Sequence, residues 1–331
     1  MDLKSAYVEC AEITRREARN FYFAFLSLPR RQRLAVYALY AFCRELDDVA
    51  DSAANAAPSD VRRSLTENRS AIAVLSDRVA NPSGSLKEKR DESTLLHDQV
   101  GSSDSRREGI AALRGRLAAA AEGRPETNRD VALADAIARY GIDPDDVVQI
   151  LDGVEMDLEL EWMETDAELE AYAYRVASAV GLATLPILTD GVPPTDAMRE
   201  KAISLGLGMQ FVNVLRDVDE DLGRGRIYLP REAFVRHNVD ETAFRARTMT
   251  PALRELLRAH AERSRSLLDD GLGLVPLVSR AGRPCLWLLA EIYGRILDRI
   301  EALGLNVFAD RVSLSTREKL VLVASTFVRR F

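Results

Sequence analysis

Three features of this sequence predict an all-α fold in a single domain. Apolar residues recur at three- and four-residue spacing over long segments, alternating β-type patterns with turn pairs are scarce, and glycine and proline fall mostly between the helical runs. The chain has 331 residues, 47% of them hydrophobic and 29% charged, which is enough to bury a sizeable core.

The N-terminal MDLKSAYVECAEITRR has no apolar core after a basic start, so it does not read as a secretory signal. RQRLAVYALYAFCRELDDVAD (31–51) is the first strongly periodic helix. From Ser52 to Arg107 the periodicity stops and Ser, Asp, Asn, Lys and Glu take over, with almost no aromatic residue. Such a stretch buries too little apolar surface to offset its ordering entropy, which predicts a polar, flexible insertion at about 55–106, most disordered near 80–106. It reads as an addition to a bundle and not as a second domain. GIDPDD (141–146) and GVPPTD (191–196) are stop-then-cap punctuation. DGVEMDLELEWME (152–164) reads as a helix whose charges spread around its circumference, a solvated face in which Asp157 is the one member to test. Further helices are predicted over 166–188, 196–222, 251–272, 285–304 and 315–330.

Charge and cysteine usage narrow the function. Forty-five Lys and Arg against 52 Asp and Glu give a net charge of −7, which argues against a nucleic-acid partner. Cys10, Cys43 and Cys285 lie far apart with no CxxC spacing, so no disulfide framework is expected and a reducing cytoplasm is the simplest compartment. No run of about 18 apolar residues is present to span a bilayer. The basic, amphipathic segment 317–331 is the candidate for peripheral contact with a membrane surface.

Within 196–222, Asp217, Asp219, Glu220 and Asp221 place four carboxylates in five residues of an otherwise apolar helix. At about 100° per residue, Gln210, Asn213, Asp217 and Asp221 fall in a stripe roughly 80° wide, Glu220 sits at its edge and Asp219 points away. A matching arrangement occurs in 39–51, where Tyr40, Arg44, Asp47 and Asp51 share a face and Asp48 lies about 100° from it. Like charges four residues apart cost a helix a few tenths of a kcal/mol. Two such pairs suggest a compensating cation, and hard carboxylate oxygens without Cys or His suit Mg²⁺ or Mn²⁺. Ions held there could bridge to diphosphate oxygens and help a carbon–oxygen bond ionise, with Arg44, Arg216, Arg224 and Arg226 adding charge-assisted contacts. A di-iron carboxylate bundle would need Glu-x-x-His pairs, and His97, His237 and His260 each lack a Glu three residues before.

FYFAFLSLP (21–29), YAFCRELDDVAD (40–51), YRVASAVG (174–181) and MQFVNVLRDVDEDLGRGRIYLP (209–230) together resemble the squalene/phytoene synthase family of head-to-head prenyl synthases, and EIYGRILDRIEALGLNVFADRVSLSTREKL (291–320) extends the match. The resemblance runs in order along nearly the whole chain apart from the polar insertion. It implies an isoprenoid-synthase helical bundle over 1–331 with a central cavity that takes two prenyl diphosphates and Mg²⁺, with Mn²⁺ as the substitute. Carried over by motif, Asp47 and Asp51 would be the first metal-binding pair and Asp217 and Asp221 the second. Gln210 and Asn213 would line the same site, Asn213 also as a metal ligand. Arg44, Arg216, Arg226, Tyr293 and Arg311 match diphosphate-contacting positions. Phe21, Phe25, Tyr40 and Tyr172 would face the reacting chain, where π-faces stabilise a cation without capturing it. The small residues of ASAVG (177–181) either make room for an apolar chain or serve tight helix packing.

Several activities share these motifs. ILDGVEMDLE, YRVASAVGL and DRVSLSTREKL are most similar to the bacterial branch that condenses two farnesyl diphosphates to presqualene diphosphate in the hopanoid pathway. The alternatives are phytoene synthase, which condenses two geranylgeranyl diphosphates toward carotenoids, and dehydrosqualene or squalene synthase. No Gly-rich dinucleotide motif appears, so NADPH is not expected. A class I terpene cyclase is disfavoured by DVDED followed by GRGRIYLP, and a non-enzymatic relative by the retention of all four acids. A monomer or a homodimer is expected.

Overall fold

Capping side chains set where many of the helices begin. Thr127, Thr165, Thr195, Thr250 and Ser315 each accept a hydrogen bond from the backbone N–H three residues on, the N-cap arrangement that satisfies an orphan donor. The computed structural model describes residues 2–51, 92–309 and 311–329. Its helices are α1 Leu3–Glu17, α2 Arg19–Phe25, α3 Arg30–Asp51, α4 Glu92–Ala121, α5 Asn128–Tyr140, α6 Pro144–Met156 and α7 Asp166–Ala173. A π-turn, Tyr174–Ser178, leads into α8 Ala179–Leu188, followed by α9 Asp196–Arg216, α10 Val218–Gly223, α11 Arg231–His237, α12 Glu241–Arg245, α13 Pro251–Leu272, α14 Arg283–Ala302 and α15 Thr316–Val328. Among the described residues there is no β-strand, only an isolated bridge between Trp162 and Ile227. The all-α expectation holds.

Two groups of helices enclose the middle of the molecule. α1, α3 and α5 pack on one another, and α9, α13 and α14 form a second group. α6, the π-turn and α8 run between the groups, touching α3 on one side and α9 on the other, and α2 lies across α14 and α15. Asp166–Leu188 is long and apolar enough by composition to cross a membrane, yet more than half of it is buried inside this bundle.

Three stretches differ from the sequence reading. Residues 52–91 of the predicted insertion lie outside the described residues, but Glu92 to Arg106 belong to α4 and are not structureless. The buried face of Ile110, Leu113 and Leu117 anchors α4, and once a helix is nucleated each further residue adds a bond without a new nucleus. The 152–164 helix stops at Met156. Asp157 is its C-cap, and Glu161–Met163 pairs instead with Ile227 through Ile227 N–H to Glu161 O (2.9 Å) and Met163 N–H to Ile227 O (3.0 Å). The 196–222 helix is interrupted at Asp217, the C-cap of α9 with φ −104° and ψ 8°. A run of aspartates, poor helix formers that also repel one another, is where such a helix gives way.

Candidate active site

A cavity of about 410 Å³ opens between the two helix groups, and each bordering element contributes by helical spacing. From the far end toward the mouth, α3 supplies Val36, Leu39, Tyr40, Cys43 and Asp47, and α9 supplies Ala202, Leu205, Gly206, Met209, Gln210 and Asn213. The end of α7, the π-turn and α8 run the other way, from Tyr172 at the mouth to Leu188 at the floor. One end is therefore polar and aromatic and the other apolar, which suits a ligand with a charged head and a greasy tail.

Eight predicted residues meet on this cavity: Phe21, Phe25, Tyr40, Asp47, Tyr172, Gln210, Asn213 and Tyr293. The rings form a chain, with Phe21 6.1 Å from Phe25 and 6.4 Å from Tyr293, and Phe25 6.4 Å from Tyr40 in an edge-on contact. Their faces present negative quadrupoles to the space between them. Burial pushes the Tyr40 hydroxyl up to about 12. On α9, Asn213 Nδ2 donates to Gln210 Oε1 at 3.0 Å, which leaves Asn213 Oδ1 buried without a partner. An orphaned buried acceptor carries a desolvation cost unless something binds it.

The acids are placed differently from one another. Asp47 sits at the open rim with 53% of its side chain exposed, and Arg44 Nη1 lies 3.8 Å from its carboxylate. Arg44 donates chiefly to Asp48 at 2.6 Å, while its Nε is buried without a partner. Asp51 ends α3, and its side chain lies outside the described residues. Asp217 and Asp221, expected as the second metal-binding pair, are not among the residues that line the central cavity. Asp217, at the break in the helix, accepts from Arg216 Nε at 2.8 Å and from Arg311 Nε at 2.7 Å. Burial would raise this carboxyl, but the bonds from Arg216 and Arg311 outweigh it and hold it below the usual range. Asp221 lacks such a clamp. Burial first, and then the charge on Asp217, push it up to about 7.

The surrounding charges complete the picture. Asp219 faces away as expected and binds Arg247. Arg224 binds Glu220 at 2.7 Å, which makes it counter-charge for the acids and not a free clamp. Arg226 is half-buried beside Tyr228 and Asp157, and with Asp221 it borders a smaller neighbouring pocket. Asp157 borders the central cavity and accepts from the Tyr172 and Tyr228 hydroxyls, both at 2.9 Å, while those two rings stack at 5.1 Å. Burial and the nearby Asp157 charge raise the Tyr172 hydroxyl well above its ordinary value. Tyr228 was missed by the sequence reading, although GRGRIYLP carries it two residues after Arg226.

The donor set fits a hard divalent cation on three counts: the orphaned Asn213 Oδ1, the raised Asp221 beside Asp217, and acids placed at the C-terminal ends of α3 and α9, where the helix dipole disfavours negative charge. Among the described residues, however, no three Asp, Glu, His or Cys side chains are gathered closely enough to form a ready-made metal cluster.

Known proteins with this arrangement are recognisable by sequence and by shape. A family model described as squalene/phytoene synthase matches residues 14–318. The chain is 30% identical to a 15-cis-phytoene synthase of Synechocystis sp. over 99% of this chain and 86% of that one, and 29% identical to a chloroplastic phytoene synthase of Daucus carota over 99% and 71%. A crystal structure of a dehydrosqualene synthase superposes with a TM-score of 0.76 at 27% identity, covering 98% of this chain and 96% of that one. The squalene synthase HpnC of Alicyclobacillus acidocaldarius shares the fold, with a TM-score of 0.71 at 23% identity over 91% and 95%. With the family model spanning almost the whole chain and the isoprenoid-synthase fold in place, the protein belongs to the squalene/phytoene synthase family, whose members are prenyltransferases acting on prenyl diphosphates.

Proposed function

We propose that the protein condenses two farnesyl diphosphates head to head to presqualene diphosphate, with Mg²⁺ or Mn²⁺ and without NADPH, in a route to squalene or hopanoids. The observation that carries this reading is one cavity that joins an acid- and amide-lined mouth to an aromatic collar and an apolar floor. Asp47, Asp51, Asn213, Asp217 and Asp221 would hold the cation, which neutralises the leaving diphosphate. Arg44, Arg216, Arg226 and Arg311 are the donors for the diphosphate oxygens. Where Arg216 and Arg311 now bind Asp217, a diphosphate would take over their N–H groups and free that carboxylate. The first substrate's C1–O bond breaks with its electron pair leaving on diphosphate. The second substrate's double bond attacks that C1, and loss of one proton closes a cyclopropane ring. Phe21, Phe25 and Tyr40 face the cationic carbon with π-density and offer no ionised nucleophile, since the Tyr40 hydroxyl stays protonated.

A second reading, condensation of two geranylgeranyl diphosphates to phytoene, is favoured by the phytoene synthases among the sequence relatives. Purified protein incubated with each diphosphate and Mg²⁺, with and without NADPH, and analysed by mass spectrometry decides between them. Presqualene diphosphate formed from the C15 substrate without NADPH is expected. A C40 product from the C20 substrate alone supports the second reading, and diphosphate release from neither overturns both.

The product's greasy nature also fits a membrane-facing surface. On α15, Leu320 and Val321 are 51% and 65% exposed in line with Arg317, next to the α2 segment that roofs the cavity. Leu320→Glu with Val321→Glu should reduce flotation with anionic lipid vesicles while leaving turnover of detergent-dispersed substrate unchanged. Undiminished flotation rejects this contact.

A further inference from the structure

The cavity wall contains two glycines on facing helices, Gly181 on α8 and Gly206 on α9, and the space around them differs. A Cβ on Gly206 would lie 2.5 Å from Ser178 Cα and 2.6 Å from Ser178 N, so the backbone of the π-turn occupies that place. Gly206 exists for helix packing. A Cβ on Gly181 would meet only the Ala202 carbonyl oxygen, at 3.5 Å, an ordinary contact. Gly181 is also absent from the positive-φ residues, so no left-handed backbone calls for glycine there. Glycine is a poor helix former, and neither packing nor conformation accounts for it inside α8. What it leaves is empty volume in the cavity wall.

Its depth gives that volume a meaning. Gly181 lies nine residues beyond Tyr172 at the mouth, and Ala202 lies eleven residues before Asn213, so the two helices face each other about 13–17 Å down the cavity at 1.5 Å rise per residue. Beyond this waist the α8 wall continues as Leu185 and Leu188. We propose that Gly181 sets the length of prenyl chain the cavity admits, by keeping the passage from the waist to the apolar floor open. The inference rests on the prenyl diphosphate reading above. A side chain at position 181 would close the passage to the distal end of the chain while leaving the mouth, where Asp47 and Asn213 sit, untouched.

The test is the affinity of full-length protein with Mg²⁺ for three unreactive thiolodiphosphates, geranyl, farnesyl and geranylgeranyl, measured for wild type, Gly181→Ala and Gly181→Val. Gly181→Val should bind the shortest chain nearly as wild type does and lose about tenfold or more on the longest chain that wild type binds, with Gly181→Ala in between. Melting temperatures of both variants should stay near wild type, whereas Gly206→Ala should melt lower. Should Gly181→Val fail to fold, Gly181→Ala carries the same comparison. Equal loss at every length, no loss at any, or a wild-type protein indifferent to chain length overturns the role of Gly181. A wild-type protein that binds none of the three overturns the substrate reading itself, and this inference with it.

Discussion

The two acid pairs share a spacing but not a fate. Asp47 and Asp51 lie on the last turns of one uninterrupted helix, and Asp47 is largely open to the rim. Asp217 and Asp221 straddle a break between two helices, where Asp217 is only 16% exposed and clamped by Arg216 and Arg311. The difference teaches that identical sequence patterns can yield two kinds of anion. Asp47 is solvent-exposed beside Arg44, and Asp217 is neutralised by two arginines.

The largest expected effect tests whether both pairs are needed. Asp47→Ala and Asp217→Ala should each lower diphosphate release by about a thousandfold or more, with circular dichroism and melting close to wild type. Near-normal turnover in one variant alone would break the pairing and leave a single acid motif carrying the cation. A third carboxylate sharpens the contrast, because Asp157 borders the same cavity and accepts from two tyrosine hydroxyls. Asp157→Asn leaves one acceptor oxygen for two donors, so one hydroxyl is stranded in a buried place. Turnover should fall about tenfold to a hundredfold, as expected for a group that positions others. Tyr228→Phe should give part of that loss, and combining the two substitutions should be less than additive. Strict additivity would mean that the pair does not act as a unit.

Most of the fold was legible because helical periodicity survives in single sequences. The predicted 166–188 and 251–272 segments coincide with Asp166–Leu188 and Pro251–Leu272, where caps and apolar spacing agree. The Gln210–Asn213 pair was legible for the same reason, since spacing puts both on one face, whereas the aromatic residues were placed by the family resemblance. What periodicity could not show was where a helix fails. The stripe through Asp217 and Asp221 assumes a continuous helix, and neither the break at Asp217 nor its partner Arg311, 94 residues on, can be read from local spacing. Asp157 stood out within its run, but the Tyr172 and Tyr228 hydroxyls that bind it come from distant segments and were not legible. The small residues of 177–181 gave an ambiguous signal that only the surroundings resolve. Ser178 lies against Gly206 in tight packing, while a side chain at Gly181 would meet only the Ala202 carbonyl oxygen at an ordinary contact.

The smallest expected effect isolates Asp221. Its carboxyl titrates near 7 in the folded protein against an ordinary 3.8, so the native state holds a proton that the unfolded chain has already released between those values. For a carboxyl raised in this way, the contribution to stability is fully present below pH 3.8 and is lost as pH rises through about 7. Asp221→Asn keeps the shape and removes the titration. The variant should therefore melt close to wild type near pH 4 and above it at pH 8, by an amount corresponding to a few kcal/mol at most. Adding Mg²⁺ should reverse the order at pH 8, because a divalent cation turns the buried negative charge from a liability into a ligand and needs the deprotonated form. A melting difference that stays constant from pH 4 to pH 8 would show that burial and Asp217 do not act on Asp221 as described. An Asp221→Asn variant still stabilised by Mg²⁺ as strongly as wild type would remove Asp221 from the second pair, leaving Asp217 and Asn213 to hold that side alone.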